Sequence, residues 1–78
     1  MENYTKTPDQ LRYGEIIEYN GDLFEVISVH DRWGFCRVDC KGYSVSGWYI
    51  LEIDKIELLT IHGNTYDPKN DYYKAGIR

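Results

Sequence analysis

Cysteine, proline and long apolar runs are all scarce in this chain. Its two cysteines, Cys36 and Cys40, are too few for a disulfide scaffold. On one extended strand their Cα atoms would lie about 13 Å apart, at about 3.3 Å per residue, whereas a disulfide spans less than about 7 Å. We therefore expect two reduced, buried thiols that serve as small apolar side chains.

No apolar run approaches the roughly 20 residues that cross a bilayer, and no charged-plus-apolar leader opens the sequence. An excess of basic charge is also missing, because the net charge is −4 and the pI is about 5.0. Since nonspecific affinity for nucleic acid comes mainly from Lys and Arg, we do not expect a broad phosphate-binding surface. These absences predict a cytoplasmic protein without membrane contact.

Groups that could form a catalytic or metal site are few. Gly-rich phosphate loops of the Walker or dinucleotide type do not occur. The spacing of Cys36 and Cys40 would suit zinc only if the segment turned, and a pair of Cys36 with His30 would lack an oxyanion site and a third member. His62 is the other candidate soft ligand. Carboxylates are plentiful, but a small barrel offers no pocket to separate their pKa values. We predict no enzymatic activity, no metal and no cofactor.

Aromatic residues are what the chain has in excess, with eight tyrosines and two tryptophans. Its 78 residues can form one domain at most. A chain of this size buries only about 60% of the surface that it exposes when unfolded. Because each aromatic side chain buries about 150–250 Å², the aromatic residues let a short chain build one small core.

Alternating apolar and polar residues predict short β-strands joined by tight turns. The clearest signal is a hairpin at Asn20-Gly21, a pair that tolerates the positive φ angles of a two-residue turn. Further turns are expected at residues 31–34, with Gly34 at positive φ, and at residues 41–42. A single 3-10 turn is expected at residues 51–55. The predicted strands are 13–19, 22–30, 35–40, 43–50 and 56–61, and the predicted core is Ile17, Phe24, Val26, Cys36, Val38, Val45, Ile56 and Leu58.

The two ends of the chain lose this alternation. Residues 1–11 are polar, and we interpret them as a lead-in that packs Leu11 on the core, although Thr7 and Pro8 could open a helical turn. Residues 62–78 contain glycine, proline and asparagine together with tyrosines. We expect this segment to be an arm that is flexible or ordered by a partner. Its tyrosines are Tyr66, Tyr72 and Tyr73.

Five short strands with a one-turn helix before the last one resemble the SH3-like small β-barrels, in the broad sense that includes the KOW modules. The segments that carry the resemblance are residues 13–21, 24–27, 47–50 and 53–59, within residues 12–60, and the predicted barrel domain spans residues 12–61. It implies an all-β, five-stranded barrel between the N-terminal lead and the C-terminal arm. The paired tryptophans and Pro-Tyr ending of the peptide-binding members are missing, so a proline-rich ligand is not implied. An OB-type barrel is the alternative fold.

Two surfaces stand out by their charge. Residues 13–30 hold four acidic residues and neither Lys nor Arg, which predicts an acidic binding face formed by Glu15, Glu18, Asp22 and Glu25. Basic and aromatic residues around the next two turns predict a basic-aromatic end formed by Arg32, Trp33, Phe35, Arg37, Lys41 and Tyr43. Such an end can stack bases or form a protein hot spot. Trp48 and Tyr49 are expected on opposite faces of a strand.

These features favour a small, non-enzymatic protein that binds or inhibits a protein partner by occupying its surface. An acidic face can present carboxylates where phosphates would sit, so a phage-encoded inhibitor of a host nucleic-acid-binding or defence protein is one form of this hypothesis. The alternative is a nucleic-acid-binding barrel that uses the basic-aromatic end. A homodimer is also plausible, because unpaired sheet edges invite strand addition.

Overall fold

The computed structural model describes residues 3–66 of the chain. Over that range the chain forms six strands and one short 3-10 helix, so the all-β prediction is confirmed. The elements are β1 (Tyr4–Lys6), the 3-10 helix (Pro8–Gln10), β2 (Glu15–Tyr19), β3 (Asp22–Asp31), β4 (Phe35–Gly42), β5 (Trp48–Asp54) and β6 (Leu59–Asn64). No helix within residues 3–66 has the length and apolar character that crossing a membrane requires.

The strands form a single antiparallel sheet in the order β1-β6-β2-β3-β4-β5. Within residues 3–66 the prediction of five strands was therefore wrong by one, and the sheet formed by these residues is not closed into a barrel, because β1 and β5 are its two edges. The missed strand is β1, which lies in the predicted polar lead. It pairs with β6 and places Tyr4 opposite Ile61.

The first hairpin forms as predicted. Asn20 and Gly21 have φ angles of 51° and 84°, and Tyr19 pairs with Asp22. Only residues without a strong steric penalty at positive φ suit such a turn. Gly34, at φ 82°, confirms the second predicted turn.

The second half of the sheet differs from the prediction. β4 continues through Gly42, and the chain then makes a loop closed by a hydrogen bond from Gly42 N to Gly47 O. In this loop the Ser44 hydroxyl accepts a hydrogen bond from the Leu23 amide, and the Ser44 amide donates to the Leu23 carbonyl. The predicted strand 43–50 is correct only from Trp48 onward, because residues 43–47 form this loop.

β5 runs without interruption to Asp54, so the 3-10 turn predicted at residues 51–55 was also wrong. Continuous pairing with β4, from Lys41 opposite Trp48 to Phe35 opposite Asp54, favours the longer strand. The turn comes later, where the Glu57 amide donates to the Asp54 carbonyl. β6 therefore starts at Leu59, three residues after the predicted start at Ile56.

The core lies on one face of the sheet and is covered at one side by the 3-10 helix and Leu11. Ile56 and Leu58 were wrongly assigned to it, since they lie in the β5–β6 turn and are 87% and 65% exposed. Leu59 and Ile61 take their place. Val45 is only half-buried against the core. The remaining predicted core residues are buried, and they are Ile17, Phe24, Val26, Cys36 and Val38.

The predicted C-terminal arm begins too early, because residues 62–64 belong to β6 and Thr65 is buried. Tyr66 stacks on Tyr13 with ring centroids 5.0 Å apart, and their hydroxyls are 3.0 Å apart. That ring lies so close to Gly14 that a Cβ there would be 2.4 Å from Tyr66 Cδ2. Tyr72 and Tyr73 of the predicted arm lie outside the described residues.

Candidate functional site

Glu15 belonged to the predicted acidic face, but its side chain is buried. It accepts hydrogen bonds from the Tyr4 hydroxyl at 3.0 Å, from Lys6 Nζ at 2.8 Å and from the Arg12 amide at 2.8 Å. A buried carboxylate is costly unless it is paired in this way. Glu15 therefore attaches β1 and the helix segment to the sheet and is not available to a partner.

Glu25 is the second buried member of that face, and its Oε2 accepts a hydrogen bond from Thr65 Oγ1 at 3.1 Å. Glu18 is exposed and lies 2.9 Å from His62 Nε2, while Asp22 sits at the start of β3 beside the hairpin turn. The four carboxylates do not form one exposed face, because two of them stabilise the fold from inside.

The predicted basic-aromatic end is also divided. Arg32 and the almost fully exposed Trp33 lie in the β3–β4 turn, whereas Lys41 and Tyr43 lie at the opposite end of β4. Eight residues of strand at about 3.3 Å each separate the two groups by roughly 26 Å. Phe35 and Arg37 lie between them on the strand itself. These six residues are spread along β4 and the turns at its two ends, and they do not converge on one end.

The outer face of the sheet, which points away from the core, carries a polar cluster on β3 and β4. Asp39 Oδ2 lies 3.1 Å from both Ser28 Oγ and His30 Nε2, and Arg37 Nε donates to Asp39 Oδ1 at 3.0 Å. The pairing of β3 with β4 shifts register between Val26 and Ser28, which turns Ser28 and His30 to this face.

Serine, histidine and aspartate also form the catalytic triad of serine hydrolases, but the arrangement of Ser28, His30 and Asp39 differs from a triad. Ser28 Oγ, at 3.1 Å, and Asp39 both contact the Nε2 atom of His30. In a triad the nucleophile and the carboxylate engage opposite nitrogens of the imidazole, so that the carboxylate orients the ring while the other nitrogen takes the proton. The cluster is consistent with a surface hydrogen-bond network.

The β5 strand is an edge of the sheet, and its backbone pattern can be assigned from two bonds that flank it. Gly42 N donates to Gly47 O at 2.7 Å, and Lys55 N donates to Gly34 O at 3.3 Å. Hydrogen bonding to a neighbour alternates along an antiparallel strand. Positions 49, 51 and 53 therefore bond to β4, and positions 48, 50, 52 and 54 direct their amides and carbonyls to the open edge.

The side chains at these outward positions are the most accessible apolar groups of the sheet. Trp48 is 72% exposed and Ile50 is 62% exposed, and they neighbour one another on the outer face. The Lys41 ammonium lies 5.7 Å from the centroid of the Trp48 ring. Tyr49 points to the opposite face, where its ring meets Phe24 edge-on at 5.2 Å. The prediction that Trp48 and Tyr49 face opposite ways is confirmed.

The second half of β5 is acidic. Glu52 and Asp54 are exposed, and neither forms an ion pair or side-chain hydrogen bond within residues 3–66. Arg37 lies opposite Glu52 and interacts with its charge, but it forms its ion pair with Asp39, and Lys55 forms its ion pair with Asp31. The outer face of β5 is thus apolar at its Trp48 end, where Lys41 lies nearby, and acidic at its Asp54 end.

The cysteines show no sign of reactivity. Both are free and buried, with Cys36 Sγ 3.8 Å from Asp31 and Cys40 Sγ 3.7 Å from the Tyr49 carbonyl. Burial raises the pKa of Cys40 to about 11, with a smaller effect from Asp39, and burial followed by Asp31 raises the pKa of Cys36. Across the described residues no three His, Cys, Asp or Glu side chains gather into a metal site.

An open cleft lies beside the N-terminal segment and is lined by residues 4–6 and 9–12. Its lining includes the Tyr4, Thr5, Lys6 and Asp9 side chains but neither histidine nor cysteine. Comparisons of the chain with family models, curated proteins and solved structures give no match. The resemblance to SH3-like barrels stays a prediction, and any function must be argued from the surface of this molecule.

Alternation along residues 48–54 is the sequence signal for the β5 strand. Trp48, Ile50 and Glu52 alternate with Tyr49, Leu51 and Ile53, as expected of one strand with two distinct faces. A single strand from residue 43 through this run would exceed the usual strand length, so the sequence predicts a turn within it. Sequence alone also gives no strand order, so it could not show that β5 lies at an edge.

Proposed function

We propose that this chain is a non-enzymatic protein-binding module whose β5 edge accepts a strand from a partner protein. The observation that carries the proposal is a seven-residue edge strand with outward-pointing backbone groups beside two exposed apolar side chains, Trp48 and Ile50. In strand addition the main-chain hydrogen bonds supply affinity, and alternate side chains supply specificity.

The two edges of the sheet differ in how well they are protected. Natural edges are kept from pairing by short length, by charged side chains or Pro, or by bulges. β1 is only three residues long. β5 has seven residues and pairs with β4 without a register shift, and its charged side chains, Glu52 and Asp54, are confined to its second half. Its length and regularity favour an added strand there.

Energetic considerations point to moderate affinity. Each new hydrogen bond contributes about 0.5–1.5 kcal/mol net, and burying one large apolar side chain contributes about 1.5–3 kcal/mol. Association costs about 4–15 kcal/mol in lost freedom of motion. Since β5 offers four outward residues and two apolar anchors, Trp48 and Ile50 would act as the hot spot.

An inhibitor of this kind would act by covering its partner's own strand or groove. The version in which carboxylates imitate a nucleic acid, as expected of a phage protein directed against host defence, has less support. Two of its four carboxylates, Glu15 and Glu25, are buried. Only Glu18 and Asp22 would remain to present charge.

Nucleic-acid binding has weaker support than strand addition, because the six basic and aromatic residues do not share one surface. Arg37 is engaged by Asp39, which leaves Lys41 beside Trp48 as the local cation and aromatic pair. Titration with single-stranded oligonucleotides, read by tryptophan fluorescence, tests this alternative. Quenching of the fluorescence of Trp33 and Trp48 at tens of micromolar oligonucleotide would favour nucleic-acid binding over a protein partner.

The direct test of strand addition compares two substitutions at one position. Ile50→Pro removes an amide that faces the open edge and leaves the bonds to β4 intact, whereas Ile50→Val keeps both the amide and a branched side chain. Partner capture from a lysate of the source cells should be lost with Ile50→Pro and kept with Ile50→Val. Equal urea midpoints would show that both variants fold. Capture that Ile50→Pro leaves unchanged would contradict the proposal.

A further inference from the structure

We infer that the strand accepted by the β5 edge is β5 of a second copy, so that the chain forms a two-fold symmetric dimer with Ile50 opposite Ile50 of the other copy. The inference rests on the proposed strand-accepting edge and names its partner. Closed two-fold dimers are the commonest assemblies of soluble proteins, and their interfaces must be self-complementary. β5 meets that requirement in backbone, apolar side chains and charge.

The backbone restricts the register. Positions 48, 50, 52 and 54 direct their hydrogen-bonding groups outward, so an antiparallel partner must place outward positions opposite one another. Centring the two-fold axis at Ile50 pairs Ile50 with its own copy and Trp48 with Glu52 of the other copy. Centring the axis at Glu52 would set two like charges directly opposite, which destabilises a sheet.

Apolar groups meet on both faces in the register centred at Ile50. On the outer face the two Ile50 side chains are direct neighbours, with Cβ atoms about 4.5–5.5 Å apart. On the inner face Tyr49 lies opposite Leu51 of the other copy. Tyr49 is 37% exposed and Leu51 is half-buried because the core ends at this edge. The dimer would continue the core across the edge.

Charge follows the same symmetry. An antiparallel copy brings its acidic half, Glu52 and Asp54, to the Trp48 end, where the Lys41 ammonium leans over the tryptophan ring. Lys41 then faces carboxylates that have no ion pair within residues 3–66. A uniformly acidic strand would repel its copy, but a strand with a basic neighbour at one end and acids at the other attracts an inverted copy.

The mass of the full chain in solution tests whether the second copy binds. Sedimentation equilibrium from about 5 to 500 μM should show a concentration-dependent rise from 9.2 kDa toward twice that mass. Ile50→Lys should weaken the dimer at least 10-fold, because it places two ammonium groups opposite one another. Ile56→Lys is the matched control, since Ile56 is exposed in the β5–β6 turn, and it should leave the dimer unchanged.

Thiol cross-linking tests the register. A cysteine introduced by Ile50→Cys lies beside its copy, whereas one introduced by Glu52→Cys lies four residues out of register, or about 13 Å away at 3.3 Å per residue. A short bismaleimide should join the Ile50→Cys chains and leave the Glu52→Cys chains single. Cross-linking of the wild-type chain, which has only the two buried native cysteines, gives the background level. Preferential linking through position 52 would overturn the register and with it the inference.

The outcomes separate this inference from the proposed function. If the chain sediments at 9.2 kDa at every concentration while Ile50→Pro still abolishes partner capture, the dimer is ruled out. The proposal that β5 accepts a strand from a different protein would then remain. A dimer that is insensitive to Ile50→Lys would also overturn the inference. If neither a dimer nor an edge-dependent partner is found, both proposals fail.

Discussion

Asp39 is the most heavily engaged carboxylate on the outer face of the sheet. Arg37 donates two hydrogen bonds to it, and Ser28 and His30 contact it as well. The hydrogen bonds from Arg37, followed by those from Ser28 and His30, lower the pKa of Asp39 to about 2, although partial desolvation opposes the shift. Residues from two predicted strands, 22–30 and 35–40, thus share one hydrogen-bond network.

The lowered pKa of Asp39 predicts a specific dependence of stability on pH. The folded pKa lies below the usual 3.8, so the ionised carboxylate stabilises the fold above about pH 4, and this contribution is lost as the pH falls toward 2. Asp39→Asn should lower the urea midpoint at pH 6, and the difference from wild type should narrow between pH 4 and pH 2.

Glu57→Gln is the control for this experiment, because Glu57 is exposed in the β5–β6 turn and its side chain has no hydrogen bond within residues 3–66. The urea midpoint of Glu57→Gln should stay close to that of the wild type at every pH. If the urea midpoints of the wild type and Asp39→Asn differ by the same amount from pH 6 to pH 2, the proposed role of the Asp39 carboxylate is contradicted.

At the scale of elements, the two edges of the sheet have different origins. β1 has only three residues, too few to form a stable strand by itself. It is held to the sheet by hydrogen bonds from Tyr4 and Lys6 to the Glu15 carboxylate. β5 is held by a full register with β4 and needs no such attachment. One edge therefore depends on a buried carboxylate, and the other is regular and open.

Glu15→Gln should release β1 from the sheet. The variant loses the charge that Lys6 and Tyr4 bind, and leaves Lys6 largely shielded without its partner, so the free energy of unfolding should fall by about 1–3 kcal/mol. Hydrogen exchange should accelerate most at the amides of β1. Glu18→Gln removes an exposed carboxylate next to His62 and should cost less than about 1 kcal/mol. Equal costs for the two variants would refute this account of Glu15.

At the scale of the whole molecule, a small core joins every strand of residues 3–66 except β1, and Leu11 completes it. Cys36 and Cys40 contribute to it from β4 as small apolar groups. Because so few side chains form the core, opening of any part that exposes β4 must disrupt most of it. The two thiols therefore report on the cooperative stability of the fold.

We predict that neither thiol of the native chain reacts readily with a disulfide reagent at pH 8. Both are buried and their pKa values are raised, that of Cys40 to about 11, so accessible thiolate is scarce. Reaction should be at least about 100-fold slower than in urea, since open populations of stable domains are about 10⁻³ or lower. Rapid reaction of one thiol without urea would show that β4 is open at that position.

Local sequence determined the features that depend on one short segment. Asn20-Gly21 gave the hairpin and Gly34 the next turn, because each relies on the backbone freedom of its own residues. Alternation placed Cys36 and Val38 in the core. The all-β class follows from the same local pattern.

Tertiary structure alone decided which strands lie at the edges and which charged groups are buried. Glu15 and Glu25 look like surface carboxylates in the sequence, but they become internal because distant residues, Tyr4 and Thr65, supply their hydrogen bonds. The position of β5 at an open edge likewise depends on strand order, which is set by contacts between residues far apart in the chain. Such contacts leave no periodic mark in either segment, so the candidate binding edge emerged only from the folded molecule.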